Sequence, residues 1–251
     1  MKLLHKLLLA CLPFAALAAC GGGDTEDRLD VADPVVRFVH AAPIAPNVTL
    51  YRASTAQPDA TNVAYQFASN YFDVDLGVAD WSVKTAVGGL DLGSVSIDPQ
   101  RGTKYTIVAY ASSAIANAVA LISDPYNKPL TSDSTHLRLM NASYNAASVD
   151  VYMNLPGTDI SAAGVNPLIA ATAFGAAGPV SGSDATDIPG GTYQLTITSA
   201  GTKTVLFKGQ LSFASNQDIL LLTVPDAATP GAVKALVKVE GTPGATEVPA
   251  S

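Results

Sequence analysis

The sequence predicts an all-β protein built as two tandem β-sandwich domains. Three observations carry that expectation. Short stretches alternate polar and apolar residues with the period of a half-buried strand, most clearly in Thr192–Thr198, TYQLTIT. Glycine pairs punctuate them as turns, at Gly88-Gly89 and Gly190-Gly191. A segment also recurs. Val35–Tyr51 reads VVRFVHAAPIAPNVTLY, and His136–Tyr152 reads HLRLMNASYNAASVDVY, without gaps at an offset of 101 residues. Arg37, Ala41, Ala45, Val48 and Tyr51 meet Arg138, Ala142, Ala146, Val149 and Tyr152. A period that long fits two domains better than a solenoid.

The elements follow in order. Residues 1–19 read as a signal peptide: Lys2 and Lys6 form the basic end, and Leu7–Leu17 the apolar run. That run is too short for the roughly 20 residues a bilayer requires. Leu17-Ala18-Ala19-Cys20 resembles the lipobox of bacterial lipoproteins. The resemblance implies cleavage between Ala19 and Cys20, with lipidation on Cys20. It also implies that Gly21, rather than Asp, at the second mature position favours the outer membrane. The face, periplasmic or external, is left open. Two or three acyl chains would anchor the chain firmly, because one chain alone binds only marginally. Residues 20–33, GGGDTED within them, read as a flexible lipidated tether.

The first sandwich is expected over 34–125, a linker over 126–134, the second sandwich over 135–240, and a disordered tail over 241–251. In the first strand Val36, Phe38 and His40 share one face, and Arg37 and Val39 the other, outward one. The expected core is Phe38, Val48, Leu50, Leu76, Trp81, Val83 and Ile107. Its counterparts are Leu139, Val149, Val151, Ile188, Tyr193, Leu195 and Leu221. Asp75-Leu76-Gly77 and Trp81 resemble Asp187-Ile188-Pro189 and Tyr193. Lys104–Tyr110 aligns with Asp218–Val224. Ala111–Ala120 is the one place where a short helix competes.

Arg37-Phe-Val-His-Ala-Ala-Pro43, with Ala45-Pro46, Val48 and Leu50-Tyr51, resembles the opening strand of a bacterial family known as domain of unknown function 4397. Val63-Ala-Tyr65 and Asn70-Tyr71 resemble its second motif. The resemblance implies immunoglobulin-like sandwiches in tandem, secreted or lipid-anchored, and brings no catalytic residues. The second copy departs from it at Asn141, Tyr144 and Ala147.

Composition excludes several functions. A net charge of -7 argues against nucleic acid, which needs a basic face. Two cysteines rule out a disulfide scaffold or Cys-rich zinc site. Ser181 lacks the G-x-S-x-G spacing of a nucleophile elbow. His40 and Asn141 are expected to bond turn backbones, and His136 to be exposed. Asp73 and Asp75 share a strand face, but calcium wants 6–8 oxygens, so they read as solvated turn acids. Asn47-Val-Thr49 and Asn141-Ala-Ser143 match the glycosylation sequon, an accidental match in a bacterial chain. Arg37 and Arg138 are expected in a cross-strand ion pair or on a loop carbonyl, with a surface recognition role as the alternative. Tyr51, Tyr65, Tyr71, Tyr105, Tyr110 and Tyr126 give the first copy more exposed-aromatic potential. No catalytic residue, metal or cofactor is expected. The expected function is a non-enzymatic, lipid-anchored envelope module for binding or adhesion. A membrane, through the lipid, is the expected partner, with a glycan, a peptide or an envelope protein as candidate ligands. The alternative is an accessory protein supporting another membrane complex.

Overall fold

The computed structural model describes residues 32–126 and 133–251. The cleavage site at Ala19, lipidation at Cys20, the tether up to residue 31 and most of the linker lie outside the described residues.

The first copy contains β1 (Val35–Ala41), β2 (Val48–Arg52), β3 (Thr55–Ala56), β4 (Phe72–Asp73), β5 (Ala79–Thr85), β6 (Asp91–Ile97), β7 (Thr103–Ala111) and β8 (Asn117–Pro125). The second contains β9 (Ser134–Asn141), β10 (Ser148–Asn154), β11 (Ile169–Ala173), β12 (Ala177–Gly178), β13 (Thr186–Pro189), β14 (Gly191–Ser199), β15 (Val205–Phe213), β16 (Asp218–Pro225), β17 (Val233–Val239) and β18 (Thr246–Glu247). The Ala111–Ala120 stretch is a β-hairpin, not a helix.

Each copy is a sandwich of two sheets, and the strand orders correspond. The first has β4-β1-β7-β8 against β3-β2-β5-β6; the second has β12-β9-β16-β17-β18, with β13 also on β9, against β11-β10-β14-β15. In both, the opening strand pairs in parallel with a late one, β1 with β7 and β9 with β16.

The two sandwiches also pack on each other, so the molecule has four sheet layers. Phe38, Leu50, Trp81 and Ile107 fill the first sandwich. Leu139, Val151, Leu195 and Leu221 fill the second. A third core lies between the β1 and β9 sheets: Val39, Val108 and Ile122 against Met140, Leu220, Leu222 and Leu236. The outward face expected of β1 is therefore buried. Val36–Ala41 and Lys104–Ala109 are buried without a break, the pattern of strands covered on both faces. The edge strand β15 instead alternates.

Equivalent residues meet across this seam. Lys104 and Asp218 open β7 and β16, and they touch each other. At the other end of the seam, Tyr110 of β7 stacks edge-on against Phe174, whose neighbour Gly175 bonds Asn141 at the end of β9. Starts meet starts and ends meet ends, so the sandwiches point the same way about an approximate two-fold axis along the strands. Loops 42–47, 86–90 and 112–116 of the first and 142–147, 200–204 and 226–232 of the second then share one end. The chain enters at the opposite end, where Gly102 donates to Ala32 O.

Two core expectations need correction. Leu76 is 55% exposed, and Tyr193 only half-buried. The pairings Leu50↔Val83 and Val151↔Ile197 make Trp81 the counterpart of Leu195, not of Tyr193. On that register Val74, which is buried, matches Ile188, and Leu76 falls in the exposed bend beyond it. Residues 241–251 are also folded rather than a disordered tail. β18 pairs β17, Val248 packs into the second core, and Ser251 donates to Lys208 O.

Candidate functional site

The polar residues of the chain converge at the base of the seam. Lys104 is carried there by β7, on the face opposite Tyr105 and Ile107, which point into their own sandwich. Its ammonium lies 2.6 Å from Asp218 Oδ2 and 3.4 Å from Glu240 Oε2. It also sits over the rings of Tyr126 and Tyr71. Burial alone would lower the Lys104 pKa, but Tyr71, Asp218 and Glu240 outweigh it and hold it above the usual lysine value. Burial raises Glu240, and its hydrogen bond with Asp218 adds to that.

Arg138, at the position equivalent to Arg37, is fully engaged. Its Nε meets the Asp124 carboxylate of the first sandwich. Its Nη1 donates to Pro179 O and Val180 O, and its Nη2 to Ser183 O. These are the ion pair and loop carbonyls that the sequence suggested. The same loop clips onto the first sandwich: Ser123 N donates to Ser181 Oγ, so Ser181 is structural. His136 is not exposed. It is half-buried, 3.1 Å from Asp187 and 3.7 Å from Asp218.

Arg37 differs. Its Nε donates to Thr106 Oγ1 at 3.1 Å, and its guanidinium lies 4.6 Å from the centre of the Tyr71 ring. Lys238, also buried, has its pKa pulled down to about 8 by burial first and by Arg37 second. A cleft of about 200 Å³ opens beside both, lined by Ser69, Asn70, Tyr71 and Glu240 as well. A second cleft of about 210 Å³ lies between Asp33, Tyr71, Lys104, Tyr126 and Glu240.

The two turn positions behave alike. His40 Nδ1 accepts from Ala42 N at 3.4 Å, and Nε2 donates to Pro46 O at 3.2 Å. Asn141 Oδ1 accepts from Ser143 N, and Nδ2 donates to Ala146 O and Thr172 O. Each side chain braces the loop after its opening strand. Burial pulls the His40 pKa down to about 4.

The remaining sequence candidates are dispersed. Asp75 pairs with Arg52 at 3.7 Å, and Asp73 is exposed. Asn47 bonds Asn62. Of the six tyrosines Tyr105 is buried and the other five are half-buried, with Tyr51 under the Lys84 ammonium on the outer face of β2. Tyr65, Tyr71, Tyr110 and Tyr126 turn into the seam, and Tyr105 into the first core. What sequence reasoning missed is the distal end. Val87, Leu90 and Ile115 stand exposed there on the tips of two hairpins, Ile115 at 94%. A Cβ at Gly93 would lie 3.1 Å from the Val119 side chain, so the two hairpins run side by side.

Fold and site together define a paired β-sandwich protein whose charged residues hold the pair and whose two sandwiches point the same way. A family model described as a domain of unknown function (DUF4397) matches residues 34–152. The match takes in the first sandwich, strand β9 and most of β10 of the second. No curated protein matches the sequence. Among solved structures, the chain is similar to CBMbc, a family 26 carbohydrate-binding module from Amy13K of Eubacterium rectale, in complex with maltoheptaose. Identity is 10%, over 86% of this chain and 97% of that one, with a TM-score of 0.23.

Proposed function

We propose that this is a non-enzymatic, lipid-anchored protein of the bacterial outer membrane whose docked sandwiches present a binding or adhesion surface. One observation carries the reading. All six loops named above open at the end opposite Ala32, the side from which a lipid on Cys20 would tether the chain. The seam supports it, because buried ion pairs and an apolar core fix the two loop sets as one rigid surface. Lys104, Asp218, Arg138 and Asp124 are engaged in holding that seam, and the distal hairpin tips present Val87, Leu90 and Ile115 to solvent.

Protease shaving of intact cells tests the reading, with Cys20→Ser as the control. Wild type should fractionate with membranes and be lost on shaving, and Cys20→Ser should be released in soluble form. Protection until the outer membrane is opened would replace adhesion with the accessory periplasmic role. Equal membrane fractionation of the two forms would remove the lipid anchor.

A further inference from the structure

The geometry points to a site for a small carboxylate between Arg37 and Lys238, in the cleft on the first-copy side of the seam. The approximate two-fold shows what is missing there. Pairing Lys104↔Asp124 in the first copy corresponds to Asp218 beside Glu240 in the second, so Glu240 is the counterpart of Asp124. Arg138 takes Asp124 as its carboxylate and three loop carbonyls besides. By symmetry Arg37 should take Glu240. Instead Glu240 lies 3.4 Å from Lys104, which stands where the second copy has Asp218.

Arg37 is thereby left with Thr106 and the Tyr71 face, and its buried Nη1 has no hydrogen-bond partner. It is only 5% exposed. Lys238 adds a second cation, at the position where the first copy has Ile122. Its ammonium donates to Thr242 O alone. Neither Arg37 nor Lys238 has a carboxylate at ion-pair distance among the described residues. Two buried cations, an unused guanidinium donor and a cleft of about 200 Å³ fit a planar carboxylate, which accepts charge-assisted hydrogen bonds from both. Asn70 and Gly241, both exposed, keep the cleft open to solvent. The site stands apart from the distal surface and does not depend on the anchor.

Isothermal titration calorimetry of the detergent-solubilised full chain tests it, with sodium acetate and sodium glucuronate at fixed ionic strength and pH 7. Both probes carry the same carboxylate. Saturable one-site binding of either supports the site. Tighter binding of glucuronate assigns it to an acidic sugar, and equal binding to a free carboxylate. Arg37→Gln should abolish the heat. Lys238→Ile restores the side chain found at the equivalent position, so it should fold, and it should weaken binding about tenfold, as expected for one charge-assisted contact. Absence of heat with both probes at millimolar concentration would overturn the proposal, as would unchanged binding in a folded Lys238→Ile.

Discussion

His40→Asn separates what His40 does for the fold from what it costs in acid. The bonds at 40 need a neutral ring, with Nδ1 accepting and Nε2 donating. Protonation puts a donor where Ala42 N–H must donate, inside a buried site. The folded pKa lies below the unfolded one, so the unfolded chain binds the proton first as pH falls. Stability is therefore intact above about pH 6.5 and is lost as pH falls towards 4. With about 6.5 for the unfolded histidine and about 4 for the folded one, the loss from pH 8 to pH 5 is ~2 kcal/mol. Asparagine carries no such term, and Asn141 shows that it can brace this loop. The variant should cost ~1 kcal/mol at pH 8, for the smaller side chain beside Tyr65. Urea denaturation at both pH values would measure it, followed by the fluorescence of Trp81, the single tryptophan and buried in the first sandwich. Wild type should lose ~2 kcal/mol more than His40→Asn between pH 8 and pH 5. Equal losses would refute the buried, neutral histidine.

Three further perturbations bear on the fold. Val74→Ser should destabilise by ~2 kcal/mol and Leu76→Ser by less than ~0.5 kcal/mol in thermal melts, since only Val74 is buried; the reverse order would make Leu76 the counterpart of Ile188. Truncation after Glu240 removes β18 and the buried Ala245 and Val248, and should lower the melting temperature by several degrees, as a loss of ~2 kcal/mol would. Lys104→Met leaves the carboxylates of Asp218 and Glu240 facing each other and should cost ~3–5 kcal/mol by urea denaturation, with partial recovery on adding Asp218→Leu.

The sandwiches were legible in the sequence because strand alternation and turn glycines are local. The repeat was legible where its offset is constant, through β1/β9 and β2/β10. Beyond β10 the offset grows from 101 to 114, because the second copy carries a longer stretch before β13. The resemblance of Asp75 to Asp187 and of Trp81 to Tyr193 is two residues off that register. A slip of two keeps each side chain on its face, so alternation gave no warning. The seam was not read, because alternation cannot say whether an outward face meets water or another sheet. A signal was present: Ile219-Leu220-Leu221-Leu222 is apolar on both faces, which only a doubly covered strand tolerates. The tyrosines were misplaced for the same reason. Tail residues 241–251 have the composition of a linker, and their order comes from tertiary pairing with β17 and β15.

The proposed display surface is the set of six loops, three from each sandwich, at the end away from the anchor. β7 alone spans nine residues, about 30 Å of strand, between the base and the Ile115 tip. Lipid-quenched fluorescence would measure the orientation directly. Lipidated protein carrying one fluorophore, at Ile115→Cys or at Asp33→Cys, would be reconstituted into vesicles doped with nitroxide lipid. Strong quenching at position 33 with little at 115 is the predicted result. Quenching at 115 equal to or greater than that at 33 would mean that the apolar tips enter the bilayer, and the account of an outward display would be wrong.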